Sequence, residues 1–277
     1  MNDTARLLAA FLTLTPVAAM AQGVVVAPHA VYINHATRSG SLTLYNPGAD
    51  PVEVSISFGF GYPTTDSAGA VGLDLLDSAP AGEPSAMGWI QAFPRRVTIA
   101  PQQRQTIRLL AAPPPSLPDG EYWARIIVAA KGGQVPVAGV PDSGDVTVAL
   151  TLEVRTVLAV VYRKGALTTG VALAPVSASY ASDSISVRVP MTRSGTAAYL
   201  GTARAEVVDG AGKVVAQTER VVGVYYTLDP RLEIPVDSLP AGTYKVRVSV
   251  STDRPDLPPR TALPAPPVRD SVEISIP

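Results

Sequence analysis

One short pattern occurs twice along this chain of 277 residues and constrains its architecture more than any other feature. Positions 116–122 read Ser-Leu-Pro-Asp-Gly-Glu-Tyr, and positions 238–244 read Ser-Leu-Pro-Ala-Gly-Thr-Tyr. The third residue after each tyrosine is an arginine, Arg125 in one copy and Arg247 in the other. A repeated motif of this length indicates two copies of one structural unit. We therefore expect two tandem domains of the same kind, with chance similarity of two turns as the less economical alternative.

The repeat also predicts what each unit looks like. Its proline and glycine favour a turn, and apolar β-formers continue at alternate positions after the tyrosine, as at Val246, Val248 and Val250. A tyrosine at such a corner is typical of immunoglobulin-like β-sandwiches. The 27 prolines oppose a helical bundle, and no segment sustains a helical apolar period. The predicted fold class is therefore all-β, with two tandem immunoglobulin-like β-sandwich domains and almost no helix.

The first residues have the features of an export signal. An apolar run over residues 7–18 is followed by a small-residue cleavage pattern that ends at Ala21. Because this run is shorter than the roughly 20 residues that span a bilayer, a retained anchor is the weaker alternative. We expect residues 1–21 to be a signal peptide, cleaved after Ala21 on export to the periplasm, with no membrane span afterwards. The predicted domains are residues 22–163 and 164–277, and without cysteine both must be stable through packing alone.

Short apolar segments predict the strands. They lie at 24–33, 41–45, 52–58, 89–92, 106–110, 122–129 and 146–162 in the first domain, and at 171–173, 185–189, 202–208, 214–222, 232–234, 244–250 and 272–276 in the second. Residues 63–88 read as a loop, and residues 209–212 as a hairpin loop. The proline-rich residues 253–267 predict an extended, mobile loop.

The sequence offers little for catalysis. It has no cysteine nucleophile, no Gly-x-Ser-x-Gly motif and no phosphate-binding loop, so we expect no enzymatic activity and no cofactor. His29 and His35 lack a third clustered ligand, and we interpret them as polar residues at a strand end rather than as a metal site. Asp74 and Asp77 are expected in a solvated loop. A net charge of -1 provides no basic surface for nucleic acid.

The predicted strand 146–162 is unusual in length. Seventeen extended residues span about 55 Å, roughly three times a typical strand. Apolar residues occupy alternate positions in its first part, at Val146, Val148, Leu150, Leu152 and Val154, and we call this row the comb. The comb could complete another protein's sandwich by strand addition. The pattern alone leaves two alternatives open. The comb could face its own core as an ordinary last strand, or the strand could break near Thr156.

Several segments of the first domain together resemble the amino-terminal domain of periplasmic chaperones of the chaperone-usher pathway, which assemble pili and other surface fibres. The segments are 24–33, 41–46, 93–101, 107–109, 117–123 and 158–163, and their order and spacing carry the resemblance more than any one motif does. The resemblance extends over the first domain, which is roughly half of the chain that follows the signal. The resemblance implies two immunoglobulin-like domains in a boomerang arrangement.

The resemblance also implies a mechanism. In this family the long strand is donated to a fibre subunit that lacks its own last strand, and the complex is delivered to an outer-membrane usher. When the end of this strand at Tyr162 is matched to the end of the family's long strand, the subunit-binding positions are Leu150, Leu152 and Val154. The alternating pattern adds Val148 to them.

The sequence departs from the family pattern at several points. Lys164 replaces the proline that usually ends the strand, and Ala30 and Ala159 occupy the positions of two basic residues that hold the subunit's terminal carboxylate. Arg155 and Arg163 are the nearby candidate carboxylate anchors, because charge-assisted hydrogen bonds would position that group. Each could equally be a solvated cation at a strand end or one member of an ion pair between the two domains.

The predicted function is therefore a periplasmic chaperone for subunits of pili or fimbriae. Two alternatives stay open. One is a secreted structural or adhesive protein with two immunoglobulin-like domains, which the missing basic residues and the divergent second domain favour. The other is a hydrolase with an unrecognised site.

Overall fold

The structure, a computed structural model, describes residues 23–136, 149–236, 239–258 and 261–277. Within these residues the regular structure consists of β-strands, and no helix is present. The predicted all-β class is thereby confirmed. In the same part of the chain there is consequently no helix that could cross a membrane.

The strands fall into two successive groups. The first group contains β1 (Val25–Ala27), β2 (Ala30–Asn34), β3 (Ser39–Tyr45), β4 (Val52–Gly59), β5 (Pro63–Thr65), β6 (Val71–Leu73), β7 (Ile90–Phe93), β8 (Arg96–Ile99), β9 (Arg104–Ala111), β10 (Gly120–Pro136) and β11 (Ala149–Lys164). The second group contains β12 (Thr169–Leu173), β13 (Ser177–Ala181), β14 (Ser184–Arg188), β15 (Met191–Gly195), β16 (Tyr199–Val208), β17 (Val214–Val224), β18 (Thr227–Leu228), β19 (Arg231–Pro235), β20 (Gly242–Ser251) and β21 (Val268–Ile276).

Apart from the two-stranded β5–β6, the first group forms two sheets around one apolar core. The sheets have the orders β1-β3-β9-β7 and β2-β11-β10-β4-β8. Burial alternates along β4 and β9 because successive side chains of a strand point to opposite faces. The inward side chains, including the fully buried Leu42, Leu44, Ile107, Leu109 and Ile126, make up the core.

Two predictions for this half are corrected. The single strand expected at 24–33 is two strands, since β1 pairs with β3 in one sheet and β2 pairs with β11 in the other. The change of sheet occurs around Pro28, which has no N–H to donate to a ladder. The loop expected at 63–88 contains the hairpin β5–β6, closed by a turn in which Asp66 Oδ1 accepts a hydrogen bond from the Ala70 N–H at 2.8 Å.

The second group forms three sheets around a separate core. Their orders are β12-β15-β18, β13-β14-β19 and β17-β16-β20-β21. The hairpin predicted at 209–212 is confirmed, because Asp209 N donates to Lys213 O at 3.0 Å between β16 and β17. The strands β8, β13, β15 and β18 were not expected from the sequence, since they are short and β13 and β15 carry little apolar alternation.

The repeated tyrosines occupy equivalent corners in the two halves. The Tyr122 hydroxyl donates to the Pro118 carbonyl at 2.9 Å, and the Tyr244 hydroxyl donates to the Pro240 carbonyl at 2.8 Å. Each tyrosine lies near the start of the strand that precedes the last strand of its half. This geometry is the tyrosine corner of immunoglobulin-like sandwiches, which the repeat predicted. The boundaries at 22–163 and 164–277 stay a prediction.

Candidate partner-binding strand

One edge of β11 is only partly paired. On one side β10 runs antiparallel to it along its whole length, from Gly120 opposite Lys164 to Pro136 opposite Ala149. On the other side β2 pairs with it only where Ala30–Asn34 meet residues 159–163. Within the described residues, the backbone edge over 149–158 therefore has no second strand beside it. Unpaired N–H and C=O groups on such an edge are a template for another strand.

The side chains of β11 that face inward begin in the core and continue past it. Leu158, Val160 and Tyr162 are buried in the first core. The same face continues through Val154, which is half-buried, to Leu152, whose residue surface is 44% exposed. Of the predicted comb, Leu152 is thus exposed and Val154 half-buried, whereas the core residues on the same face, Leu158, Val160 and Tyr162, lie beyond the comb.

The exposure of Leu152 follows from where the neighbouring strand ends. The ladder between β4 and β10 extends only to Glu53 opposite Lys131, and Lys131 in turn lies opposite Glu153. Beyond that pair, β10 and β11 form a two-stranded ribbon with no third strand against it in the described residues. Such a ribbon gains stability from an additional partner strand.

The other predicted binding residues are described to different extents. A Cβ on Gly23 would lie 3.5 Å from the Val154 Cβ, so the start of the described chain covers one side of Val154. Leu150 is placed by its backbone pairing with Val135. Val148 lies outside the described residues.

The opposite face of β11 presents the positions at which the sequence departs from the family. Ala159 and Ala30 are direct partners in the parallel ladder, so two methyl groups lie side by side on the outer face of the sheet. The candidate anchors Arg155 and Arg163 lie on this same outer face, on either side of Ala159. The structure therefore brings both arginines to the face that carries the alanine pair.

Arg163 is engaged in a buried network between the two halves. Its Nε donates to Glu121 Oε2 at 2.8 Å, and its Nη1 donates to the Thr261 carbonyl at 2.7 Å. Glu121 Oε1 also accepts from Trp123 Nε1 at 2.8 Å and from the Ala198 N–H at 3.1 Å. A buried charge needs such a set of partners to remain ionised. Of the alternative roles weighed for Arg163, the interdomain pair is the one that these contacts describe.

Tyr32 completes this network from the side of β2. The Arg163 guanidinium carbon lies 4.7 Å from the centroid of the Tyr32 ring, within the range of a cation–π contact. Burial raises the pKa of the Tyr32 hydroxyl well above its usual range, so the ring stays neutral beside Glu121. The neutral phenol leaves the Glu121 carboxylate to balance the charge of Arg163.

Arg155 has a different environment. Its side chain is 70% exposed, and its Nε donates to Glu153 Oε1 at 2.6 Å. This hydrogen bond lowers the pKa of the Glu153 carboxyl. Lys131 lies 3.7 Å from the other oxygen of Glu153, so one carboxylate serves two cations on the surface.

The two arginines of the sequence repeat also diverge. Arg125 is buried, and its Nε donates to the Gly61 carbonyl at 2.7 Å. Its guanidinium carbon lies 5.6 Å from the centroid of the Tyr225 ring. Arg247 is exposed, and its Nη2 lies 3.4 Å from Glu206 Oε2 on the outer face of the second half. The repeat therefore preserves the corner tyrosine in both halves, but only the first copy contributes to the junction.

Sequence reasoning missed most of the junction. Tyr62 stacks on Tyr225 with ring centroids 5.6 Å apart, and Trp123 meets Tyr225 edge-on at 4.7 Å. Leu257 and Ala262 of the proline-rich loop pack against the same cluster. The loop also contacts the first half through the Thr261 carbonyl, which accepts a hydrogen bond from Arg163, and its predicted mobility stays a prediction. A usable signal was Trp123, a large aromatic residue beside the corner tyrosine whose side chain points to the outer face.

The histidines lie at a strand end and the two aspartates in a loop, where the sequence placed them. His35 Nδ1 is hydrogen-bonded to the Tyr162 hydroxyl at the end of β2, and His29 is exposed. Asp74 and Asp77 are exposed. Over the described ranges, no group of three or more metal-ligating side chains is present.

Comparisons with known proteins give matches among solved structures. No protein-family model and no curated protein matches the chain. The chaperone DraB of E. coli is 17% identical, with 82% of this chain and 89% of that chain covered at a TM-score of 0.40. The YadV chaperone is 16% identical, with coverages of 91% and 99% and a TM-score of 0.43. The class 5 fimbriae chaperone CfaA is 10% identical, with coverages of 92% and 100% and a TM-score of 0.44.

Proposed function

We propose that this protein is a periplasmic chaperone that binds subunits of surface fibres by donating β11. The observation that carries the proposal is the continuity of one row of side chains. The row that fills the protein's own core at Leu158, Val160 and Tyr162 extends past the core to the exposed Leu152. Over the same stretch the backbone edge of β11 is free of a second strand in the described residues. An incomplete partner sandwich needs both features at once.

The partner is a fibre subunit that lacks its last strand. Its exposed apolar groove would take Leu150, Leu152 and Val154, with Val148 extending the row. Each aliphatic side chain buried in this way contributes about 1.5 to 3 kcal/mol before the cost of ordering the strands. Main-chain hydrogen bonds to β11 would cover the subunit's open edge and so suppress its aggregation.

Strand donation also suggests how the subunit would be delivered and released. A donated strand is held by contacts that another strand of the same pattern can replace, so no covalent step and no nucleotide are required. We propose that exchange takes place at an outer-membrane usher, where the next subunit's own strand displaces β11. The predicted signal at residues 1–21 would bring the protein to the periplasm, where such subunits first appear.

The second candidate is a secreted structural or adhesive protein with two immunoglobulin-like domains. The buried network around Arg163 and Glu121 favours it, because that network holds the two halves together without any need for a partner. This candidate predicts that β11 serves only its own sandwich. It therefore predicts no dependence of any binding on the exposed Leu152.

The test is periplasmic co-expression with the exported single-domain proteins encoded beside it. Affinity purification and mass spectrometry would identify what the wild-type protein retains. We expect Leu152→Glu to fold normally and to lose the subunit, because a carboxylate would enter the apolar groove. The matched control is Leu110→Glu, since Leu110 is 50% exposed on a strand of the opposite sheet. Equal recovery by wild type and Leu152→Glu would rule out donation through this residue.

A further inference from the structure

An exposed apolar strip lies on the outer face of the sheet, beside the free edge of β11. We call Leu75, Ile127 and Val157 the cleft strip. Ile127 and Val157 are direct partners on β10 and β11. The side chains of Leu75 and Ile127 come together above Gly59. A Cβ atom built on this glycine would lie 2.9 Å from Leu75 Cδ1 and 3.4 Å from Ile127 Cδ1. Leu75 is 40% exposed and Val157 is 36% exposed, so the strip is open to a partner.

The cations around the cleft strip already have partners within this chain. Arg155 donates to Glu153, Arg163 donates to Glu121, and the Nε of Arg125 donates to the Gly61 carbonyl. Among the described residues Arg163 Nη2 has no partner, but a new carboxylate at Arg163 or at the exposed Arg155 would compete with Glu121 or Glu153 for the same cation. By contrast, the exposed side chains of Leu75 and Val157 can be covered without competing with an ion pair of this chain.

The topology determines where a partner strand must leave the sheet. A strand added to the free edge of β11 lies in line with β2, and β2 occupies that edge from Ala159 onward. The added chain must therefore turn out of the sheet as it reaches Ala30. The inner face at this level is filled by Val31, Leu158 and Val160, all buried in the first core. The outer face is open at Val157, just before Ala159 packs against the junction, and Val157 is the first side chain that the departing chain meets there.

We infer that the cleft strip receives apolar side chains from the segment with which the partner's added strand ends. Recognition of that end is by burial of apolar surface against Leu75, Ile127 and Val157 rather than by an ion pair with its carboxylate. This inference rests on the proposed function and adds to it a second contact on the opposite face from Leu152. It also specifies the chemistry of the partner, whose strand end must carry apolar side chains.

The test uses the subunit that the wild-type protein retains in periplasmic co-expression. Val157→Thr keeps the shape and the β-branched stem of the side chain but places a hydroxyl in the strip, and Leu75→Asp places a charge there. We expect retention to fall by about threefold for Val157→Thr and by about tenfold or more for Leu75→Asp. Leu110→Asp, on the opposite sheet, should retain the subunit as wild type does. Melting temperatures of the three variants check that each is folded.

Salt and charge variants separate this inference from anchoring of a carboxylate. In about 1 M NaCl the screening length falls to about 3 Å, which weakens ion pairs and leaves apolar contacts intact. We expect the wild-type complex to survive that wash and Arg155→Ala to bind normally. Loss of the complex in salt or in Arg155→Ala, with Val157→Thr and Leu75→Asp unaffected, would overturn the inference and leave strand donation standing. If the wild-type protein retains no subunit at all, both proposals are wrong.

Discussion

Glu121 and Arg163 form a buried ion pair at the junction of the two halves, with Arg163 Nε 2.8 Å from Glu121 Oε2. Glu121 comes from the sequence repeat, one residue before the corner tyrosine, and Arg163 is near the end of β11. Their remaining hydrogen bonds go to Trp123, the Ala198 N–H and the Thr261 carbonyl, two of which belong to the second half. The strand proposed to bind a partner is therefore fixed at its far end to the second half of the molecule.

We expect Glu121→Ala to destabilise the protein by about 3 to 5 kcal/mol, because it leaves the guanidinium of Arg163 buried without its counter-charge. The measurement is urea unfolding followed by fluorescence. Glu219→Ala is the matched control, since Arg204 and Glu219 are also 2.8 Å apart but are about half exposed. That surface pair should contribute no more than about 1 kcal/mol. Equal effects of the two variants would contradict the account of the junction.

The corner tyrosines should contribute similar amounts in the two halves. Tyr122→Phe and Tyr244→Phe each remove one hydrogen bond to a proline carbonyl and leave the ring in place. We expect a loss of about 0.5 to 1.5 kcal/mol for each, with nearly additive effects in the double variant because the sites are far apart. Tyr180→Phe removes an exposed hydroxyl contact with Asp183 and serves as the control. A corner variant as stable as wild type would show that its hydrogen bond adds nothing.

The parts of the fold that the sequence predicts are those encoded locally. The Pro-x-Gly turn and its tyrosine lie within seven residues, and the alternation of β11 is visible in one segment. The junction is different, because Glu121 contacts Ala198 77 positions away along the chain and Arg163 contacts Thr261 98 positions away. Such pairs have no periodicity or spacing of their own, so nothing in one sequence marks them.

The candidate site was predictable only in part for the same reason. Leu152 and Leu158 occupy equivalent positions in one alternating pattern, yet one is exposed and the other is buried. The difference depends on the end of the ladder between β4 and β10, where Lys131 lies opposite Glu53, a residue 99 positions before Leu152. Periodicity identifies the face of a strand, whereas tertiary pairing determines how far the core extends along it.

This difference along β11 gives a direct test of where the core ends. We expect Leu158→Ala to destabilise the protein by about 2 to 5 kcal/mol, because it removes buried methyl groups and leaves a cavity. Leu152→Ala on the same face should cost less than about 0.5 kcal/mol in the free protein, as exposed positions usually do. Chemical denaturation of both variants measures the two values. A large loss for Leu152→Ala would mean that its side chain packs in the protein's own core.

The last prediction concerns Tyr199, which is fully buried in the second core and whose hydroxyl has no hydrogen-bond partner among the described residues. Burial raises the pKa of the Tyr199 hydroxyl to about 12, from about 10 in an unfolded chain. Because the folded pKa is the higher one, the stability linked to the neutral phenol is complete below about pH 10 and is lost as the pH rises towards 12. We expect Tyr199→Phe to lose less stability than wild type between about pH 10 and 12, as measured by urea midpoints. At about pH 8 the variant should be at least as stable, since no hydrogen bond is removed. Parallel pH profiles for the two proteins would contradict the assignment of this loss to Tyr199.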